Sequence, residues 1–489
     1  MIKIELINNN SFPFAKLKDF LCVMDCEYPI SLSSKVSFDV FLDKIKEKGS
    51  VLCAIDNDRI VGALFFYANN FTEKIAFITL FGVVKEYRRK GIASMLFDKM
   101  VYKCKRDFEK IQLYTHSTNV AAISFYKNKG FYSIPCDRDG DLKLELLLNK
   151  EKNINILLTS VGRRSYLVKY FKEALDDIGE VHVSNSSDIS PAFLVADKSI
   201  VSPLIYDDKY IPFLLNYCKK NNINIIISLF DIDLYKLALN KDLFAKNGIR
   251  VIVSDADFVK ICNDKWLTYL FLKENGFHVP RTYLNLNDVK DDLNKNNISY
   301  PIMLKPRWGM GSLSNYVVNN DMELNVLYQK IKNEIQNSYM KYESLQDMEH
   351  SVLIQELLSG QEYGLDVIND LEGNYINTIV KKKIAMRSGE TDCAEVLFNK
   401  NIKKVGQKLG KLTKHIANLD VDVFYDGKKV YILEMNARFG GGYPFSHMAG
   451  VNLPKAIINW CDNKEVDFEM LEIHDELLAH KDIDIVKLK

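Results

Sequence analysis

The stretch LDVDVFYDGKKVYILEMNARFGGG, residues 419–442, constrains the fold more than any other part of the chain. Two apolar runs flank Asp426 and Gly427, a pair that favours a tight hairpin turn. Strand side chains alternate between faces, so Glu434 and Asn436 point the same way, as do Asp420 and Asp422. A turn made only of Asp426 and Gly427 would set the aspartates on the face away from Glu434. A three-residue loop with Gly427 in the left-handed conformation restores one shared face, with Asp422 or Asp420 opposite or diagonal to Glu434. Such neighbours lie about 5–8 Å apart, and an ion bonded to oxygens at about 2.1 Å can bridge them. Buried carboxylates without partners are costly. Asp422, Glu434 and Asn436 are therefore expected to hold magnesium, or manganese in its place. Arg438 keeps the same inward face, where it suits a phosphate or acyl phosphate, and the glycines after it allow close backbone approach. Tyr443 and His447 follow as candidate contacts to an acceptor.

At 489 residues the chain exceeds the ~250–300 residues that one core usually serves, so two or more domains are expected. Its 65 basic and 64 acidic residues leave a net charge of +1, with no global field for nucleic acid or an anionic membrane. A small-molecule enzyme fits that neutrality better. No apolar run reaches the ~18 residues of a membrane span, and MIKIELINNNSF lacks a signal-peptide pattern, so a cytoplasmic protein is expected. Nine scattered cysteines without a CxxC pair are read as reduced, mostly core thiols. The organisation changes near residue 150, where a charged linker separates short strands and amphipathic stretches from a new strand, turn and helix series. An α/β fold is expected for both parts.

In the first part, VVKEYRRKGIASMLFDKMVYKC, residues 83–104, reads as a strand end, a basic turn with Gly91, and a helix. Glycine lets backbone amides approach a diphosphate, and the helix N-terminus favours an anion. With NVAAISFYKNKGF, residues 119–131, this stretch resembles the GNAT acyltransferases over roughly residues 1–150. Arg88, Gly91 and Ala93 match that family's R/Q-x-x-G-x-G/A signature. The resemblance implies a mixed-sheet domain that binds acetyl-CoA or another acyl-CoA. It assigns the pyrophosphate to the turn from Val84 through Arg89, Lys90, Gly91, Ile92 and Ala93, the pantetheine arm to Asn119, and protonation of the leaving thiolate to Tyr126. Many members carry a glutamate on the strand before the turn. Here Thr79 is the polar side chain in IAFITLFGVV, and His116 on the next strand is the substitute base.

Residues 153–460 resemble the ATP-grasp enzymes, most closely the carbamoyl-phosphate-synthase-like ligases. INILLTSVGRRSYLVKYFKEAL looks like their Rossmann-like first subdomain, with Arg163 and Arg164 in a turn suited to clamp a carboxylate or sugar phosphate. The resemblance implies that Lys265 and Lys305 contact ATP phosphates beneath a glycine loop. It assigns adenine to Gln355 with the backbone of Glu356 and Leu358, ribose to Glu362, and the γ-phosphate to Lys383 and Arg387. Clustered cations would neutralise charge that spreads during phosphoryl transfer.

The expected architecture is a GNAT-like mixed sheet at 1–150, a Rossmann-like subdomain at 153–262, and an ATP-grasp domain of two α+β subdomains clamping ATP at 263–489. The expected function is an ATP- and magnesium-dependent carboxylate-amine ligase that releases ADP and phosphate, fused to an acyl-CoA dependent N-acyltransferase. A GNAT-like sensor regulating a lone ligase is the alternative. Partners are a small-molecule carboxylate and an amine, with no nucleic acid or membrane, and a homodimer is compatible with this scheme.

Overall fold

The computed structural model describes residues 2–7, 12–28, 30–105, 107–148, 154–176, 178–309, 311–482 and 485–488. The charged linker at 149–153, residues 1 and 8–11 of the N-terminal segment weighed as a signal peptide, and Met310 of the glycine loop lie outside them. The chain forms two compact units, Met1–Asn153 and Ile154–Lys489.

The first unit is built on a seven-stranded sheet in the spatial order Lys3–Leu6, Ser50–Asp56, Arg59–Asn70, Ile75–Val83, Lys110–His116, Asp141–Leu147, Tyr132–Ile134. Its neighbours pair antiparallel, apart from Ile75–Val83 with Lys110–His116, which are parallel. Helices Phe14–Asp25, Phe38–Lys48 and Ile92–Cys104 bury Leu17, Leu21, Leu42, Ile45, Leu96 and Met100 against Leu64 and Phe65 of the sheet. That spacing of apolar residues at three and four is what makes each helix one-sided.

The second unit holds three sheets. Five parallel strands run in the order Lys198–Val201, Val181–Asn185, Asn155–Thr159, Ile223–Ser228, Arg250–Ile252. Consecutive strands leave Asn155–Thr159 on opposite sides, and the carboxyl edge at such a reversal is where open α/β sheets take ligands. Thr282–Tyr283, Val352–Glu356, Ile302–Pro306 and Tyr316–Val318 form a four-stranded antiparallel sheet. Six antiparallel strands follow in the order Val430–Asn436, Asn418–Tyr425, Gln361–Asn369, Tyr375–Arg387, Glu390–Leu397, Leu477–His480.

The hairpin at 418–436 reaches its shared face by a route other than the expected three-residue loop. Tyr425 pairs with Val430, so the loop is the four residues 426–429, and Gly427 takes φ of 92°. With an even loop and regular pairing, Asp422 would face away from Glu434. A bulge at Leu433 inserts one residue between Val423↔Ile432 and Asp422↔Glu434, and the parity is restored. Asp422 then stands opposite Glu434, and Asp420 opposite Asn436.

Helix Lys400–Thr413 lies flush on this sheet because Gly406 and Gly410 face it. A Cβ at Gly406 would stand 2.4 Å from Thr378 Cγ2, 2.5 Å from its Oγ1 and 3.0 Å from its Cβ, which no rotation of Thr378 relieves. Gly406→Ala is therefore expected to destabilise the unit by about 1–3 kcal/mol through overpacking, outweighing the ~1 kcal/mol alanine brings to a helix. An unchanged or raised melting temperature would contradict this packing.

All nine cysteines are free, with Cys53, Cys104, Cys218, Cys262 and Cys393 buried and Cys22, Cys26 and Cys136 exposed. Among the described residues no helix is long and apolar enough to cross a membrane.

Candidate functional site

The hairpin's acid face looks into a cleft of about 1000 Å³, part of it open to solvent, lined by Asp420, Asp422, Glu434, Asn436 and Arg438. Arg163 and Arg164, from the turn after Asn155–Thr159, line it too. Lys383 reaches over the intervening strand Gln361–Asn369 from Tyr375–Arg387, its Nζ 2.7 Å from Asp422 and 2.6 Å from Glu362. Burial works against the Lys383 ammonium, but Asp422 and Glu362 outweigh it and hold its pKa above the ordinary lysine value. Burial also pushes the Asp422 carboxyl up to about 7, with Asp420, Glu434 and Glu362 adding repulsion against the pull of Lys383. Glu434 is opposed by burial as well, yet Lys265, Lys305 and Lys383 bring it below the usual carboxylate range.

Arg438 is held on both sides. Its Nη1 donates to Asp420 at 2.7 Å, and its Nε and Nη2 donate to Asp231 at 3.2 and 3.0 Å. Asp231 Oδ1 is left buried with no partner. The glycines after Arg438 serve close approach: a Cβ on Gly440 would stand 2.1 Å from Asp420 Oδ1.

No three His, Cys, Asp or Glu side chains among the described residues stand together as a metal cluster. Asp422, Glu434 and Asn436 are instead two acids and an amide, a hard oxygen set. Magnesium characteristically takes one or two carboxylates and fills its other positions with phosphate and water. The repulsion from Asp420, Glu434 and Glu362 that adds to burial at Asp422 is what a divalent cation relieves. The residues present fit such an ion.

Several expected site residues have other occupations. Gln355 is buried and both ends of its amide are engaged: Oε1 accepts from Lys305 at 2.8 Å and Nε2 donates to Thr282 at 2.8 Å. It positions the lysine rather than presenting to a base. The Glu356 amide donates to the Arg281 carbonyl at 2.9 Å, and its carboxylate accepts the Arg281 amide at 3.1 Å. Leu358 lies in the connection 357–360 between two strands, partly buried. Arg387 turns out to Asp392 at 2.7 Å and is half exposed, away from the cleft wall. Lys381, two residues before Lys383 on the same face, lines the cleft instead and is tied to Asp366. Tyr443 is wholly buried, its hydroxyl donating to Val451 O and accepting from Leu453 N, each at 3.0 Å, so it braces the backbone rather than meeting an acceptor. His447 stacks on Tyr170 with ring centroids 3.7 Å apart, off the cleft wall.

Lys265 donates to Gly309 O at the base of the glycine loop. Lys305 lies beside Glu434, and burial drives its ammonium down to about 8 against the pull of Glu434. Its unfolded counterpart titrates near 10.5. As pH rises through this window the folded protein releases a proton that the unfolded chain retains, so the burial penalty disappears and stability rises. Relative to Lys305→Met, the wild type is expected to gain roughly 3 kcal/mol between pH 7 and 10.5. Trp266, Trp308 and Trp460 all lie in the second unit, so tryptophan fluorescence in urea reads it directly. A pH-independent difference between the two proteins would refute the buried-charge account.

In the first unit, Ile75–Val83 and Lys110–His116 pair only from Ile75↔Lys110 to Ile78↔Leu113. Beyond that point a cleft opens, lined by Tyr28, Thr79, His116, Asn119 and Tyr126 among others. Arg89 and Gly91 both take positive φ, 60° and 79°, which bends the turn into the start of helix Ile92–Cys104, whose first amides have no helical partner. A Cβ at Gly91 would meet nothing within 4 Å, so the backbone angle rather than crowding calls for glycine. Lys90 is exposed, its Nζ 4.8 Å from the Tyr87 ring, and Ala93 is partly buried against the core.

Arg88 braces this turn, donating to Val83 O and to Glu27, each at 2.9 Å. Val84 does not face a ligand: it is 1% exposed, and its amide and carbonyl bond Val61 O and Tyr87 N. The Ile92 side chain is likewise in the core. Asn119 caps helix Val120–Asn128 by accepting from Ala122 N at 3.2 Å. Burial raises the Tyr126 phenol above its ordinary value, with Tyr28 adding to the effect. Tyr28 itself went unnoticed in the sequence, because its place on this cleft depends on packing and not on any spacing.

The chain matches three family models: the Acetyltransferase (GNAT) family over residues 18–131, the PylC-like, N-terminal domain over 156–252, and the ATP-grasp domain over 262–442. It is 24% identical over 298 residues to the carbamoyl phosphate synthase large chain of Clostridium acetobutylicum, covering 58% of this chain and 26% of that protein. The same large chain from Pseudothermotoga lettingae is 24% identical over 373 residues, covering 74% and 31%. The chain thus spans about a quarter to a third of the length of these curated relatives. Among solved structures it is similar to the biotin carboxylase of Campylobacter jejuni in a β,γ-ATP complex, with a TM-score of 0.53 and 16% identity over 66% of this chain and 75% of that one. The biotin carboxylase domain dimer of Hydrogenobacter thermophilus 2-oxoglutarate carboxylase, with MgADP and bicarbonate, gives a TM-score of 0.53 and 16% identity over 66% and 73%. At these identities the likeness is one of fold.

Proposed function

From a chain that joins a GNAT acetyltransferase-family domain to an ATP-grasp domain, we infer a bifunctional biosynthetic enzyme. Its second unit is an ATP- and magnesium-dependent ligase that joins a carboxylate to an amine, and its first is an acyl-CoA dependent N-acyltransferase. The observation that carries the ligase is the convergence of Asp422 and Glu434, paired across the bulged hairpin, with Lys383 and Arg438 on one cleft wall. In this reading Asp422, Glu434 and Asn436 would hold the ion, which would supply positive charge against the nucleotide phosphates. Lys265, Lys305 and Lys383 balance the charge that spreads over the phosphoryl group. Arg438, fixed by Asp420 and Asp231, presents a guanidinium to the acyl phosphate before the amine attacks.

Supplied with ATP, magnesium and candidate carboxylates and amines, the protein should release ADP and phosphate. AMP and pyrophosphate would point to adenylation and remove this mechanism. Mass spectrometry of the metabolites consumed identifies the substrates.

One observation favours a second reading of the first unit. The cleft strand offers Thr79 where a carboxylate base is common, which leaves His116 as the base or leaves the unit an acyl-CoA sensor that regulates the ligase. His116 lines the cleft, and its Nδ1 lies 2.7 Å from Thr118 Oγ1.

A further inference from the structure

Part of the second unit's cleft has chemistry that the ligase mechanism leaves unused. Arg164 Nη1 and the Tyr166 hydroxyl are both fully buried and neither has a hydrogen-bond partner. Buried donors without acceptors are costly, so such a pair calls for one. The two belong to one neighbourhood, since Arg164, Glu390 and Arg438 are charges that act on the Tyr166 hydroxyl. A third group arrives from the far end of the chain. Strand Leu477–His480 pairs along the edge of Glu390–Leu397, and the Lys481 amide donates to Asp392 O at 2.8 Å. This carries the Lys481 ammonium to Gly441 O at 2.8 Å, to within 3.6 Å of Glu390, and 6.0 Å from the Tyr166 ring. Both Gly441 and Glu390 line the cleft, as does Arg164. Glu390 and Asp392 are the carboxylates that act on Lys481, and burial together with Arg164 lowers its ammonium despite them. Among the described residues, Arg164 Nη1 and the Tyr166 hydroxyl still lack oxygen acceptors.

We propose that Arg164, Tyr166 and Lys481 form an anion pocket that grips a carboxylate or phosphate group of the ligase substrate, remote from its reacting atoms. The pocket rests on the reading of this cleft as the ligase site. Lys481 lies well beyond residue 442, where the ATP-grasp match ends, so the C-terminal strand supplies a specificity residue from outside that domain pattern. Terminal anionic oxygens would satisfy Arg164 Nη1 and Tyr166 together and leave Glu390 as the counter-charge to Lys481.

The test titrates glutarate and, separately, inorganic phosphate into the full chain in the presence of ADP and magnesium, by calorimetry. One of the two should bind, and which one identifies the anion. Arg164→Met and Lys481→Met should each weaken that binding tenfold or more. The double variant should fall little below the weaker single one, because both residues serve one ligand. Lys481→Arg should retain binding, and ADP affinity should stay at the wild-type value in every variant. Circular dichroism melting checks that each variant is folded. Failure of both probes to bind, or binding indifferent to both substitutions, overturns the pocket. Release of AMP instead of ADP would sink the ligase mechanism while leaving a Lys481-dependent anion site standing, so the two failures are distinguishable.

Discussion

Replacing Glu434 by Gln is expected to lower ATP turnover by about 10²–10³-fold while leaving the fold intact. The substitution keeps the shape of the side chain and removes one negative charge from the pair that Asp422 and Glu434 form across the bulged hairpin. Without that charge an ion at this hairpin would keep one carboxylate and an amide, and Lys265 and Lys305 lose the pull of Glu434. Asp420 is a poor replacement, because its Oδ2 accepts from Arg438 at 2.7 Å and its negative charge is balanced there. Steady-state ADP release measured beside a thermal melt separates loss of chemistry from loss of structure. Wild-type turnover in a folded Glu434→Gln protein would sink the assignment of this hairpin to the phosphate clamp.

The second large effect is expected in the first unit, where Tyr126→Phe should reduce acyl transfer by roughly 10²–10⁴-fold and leave acyl-CoA binding nearly unchanged. Burial favours the neutral phenol at Tyr126, so it keeps its proton and can donate it in a hydrogen bond to a leaving thiolate beside it. Removing the hydroxyl takes away that proton and little of the surrounding packing, because the ring contacts with Phe125 and Phe131 persist in phenylalanine. Thiol release on acetyl-CoA with a panel of amines measures the chemistry, and calorimetry measures the binding. Amine-dependent thiol release at the wild-type rate in Tyr126→Phe would leave an acyltransferase but remove its acid. If no amine elicits thiol release while acetyl-CoA changes the rate of ADP formation, the unit is a sensor.

Much of this was legible before any coordinates, and the limits of legibility have a physical cause. The sequence by itself determined the two kinds of α/β unit, the hairpin at Asp426-Gly427, and the alternation that sets Glu434 with Asn436 and Asp420 with Asp422. These are local properties: side-chain period, turn chemistry and glycine conformation act over a few residues and survive in any context that buries one face. Which faces meet is not local. A four-residue loop alone would have turned the aspartates away, and the bulge at Leu433 that turns them back is settled by packing against the rest of the sheet. Gln355, Val84 and Asn119 sit at the positions their motifs indicate, yet hydrogen bonds to Thr282 and Val61 and from Ala122 engage their polar atoms, and none of those partners is set by motif spacing. Tertiary structure alone brought Asp231 to Arg438 across 207 residues and Lys481 to the Gly441 carbonyl, because side chains so far apart in the chain are joined only by the way whole sheets stack.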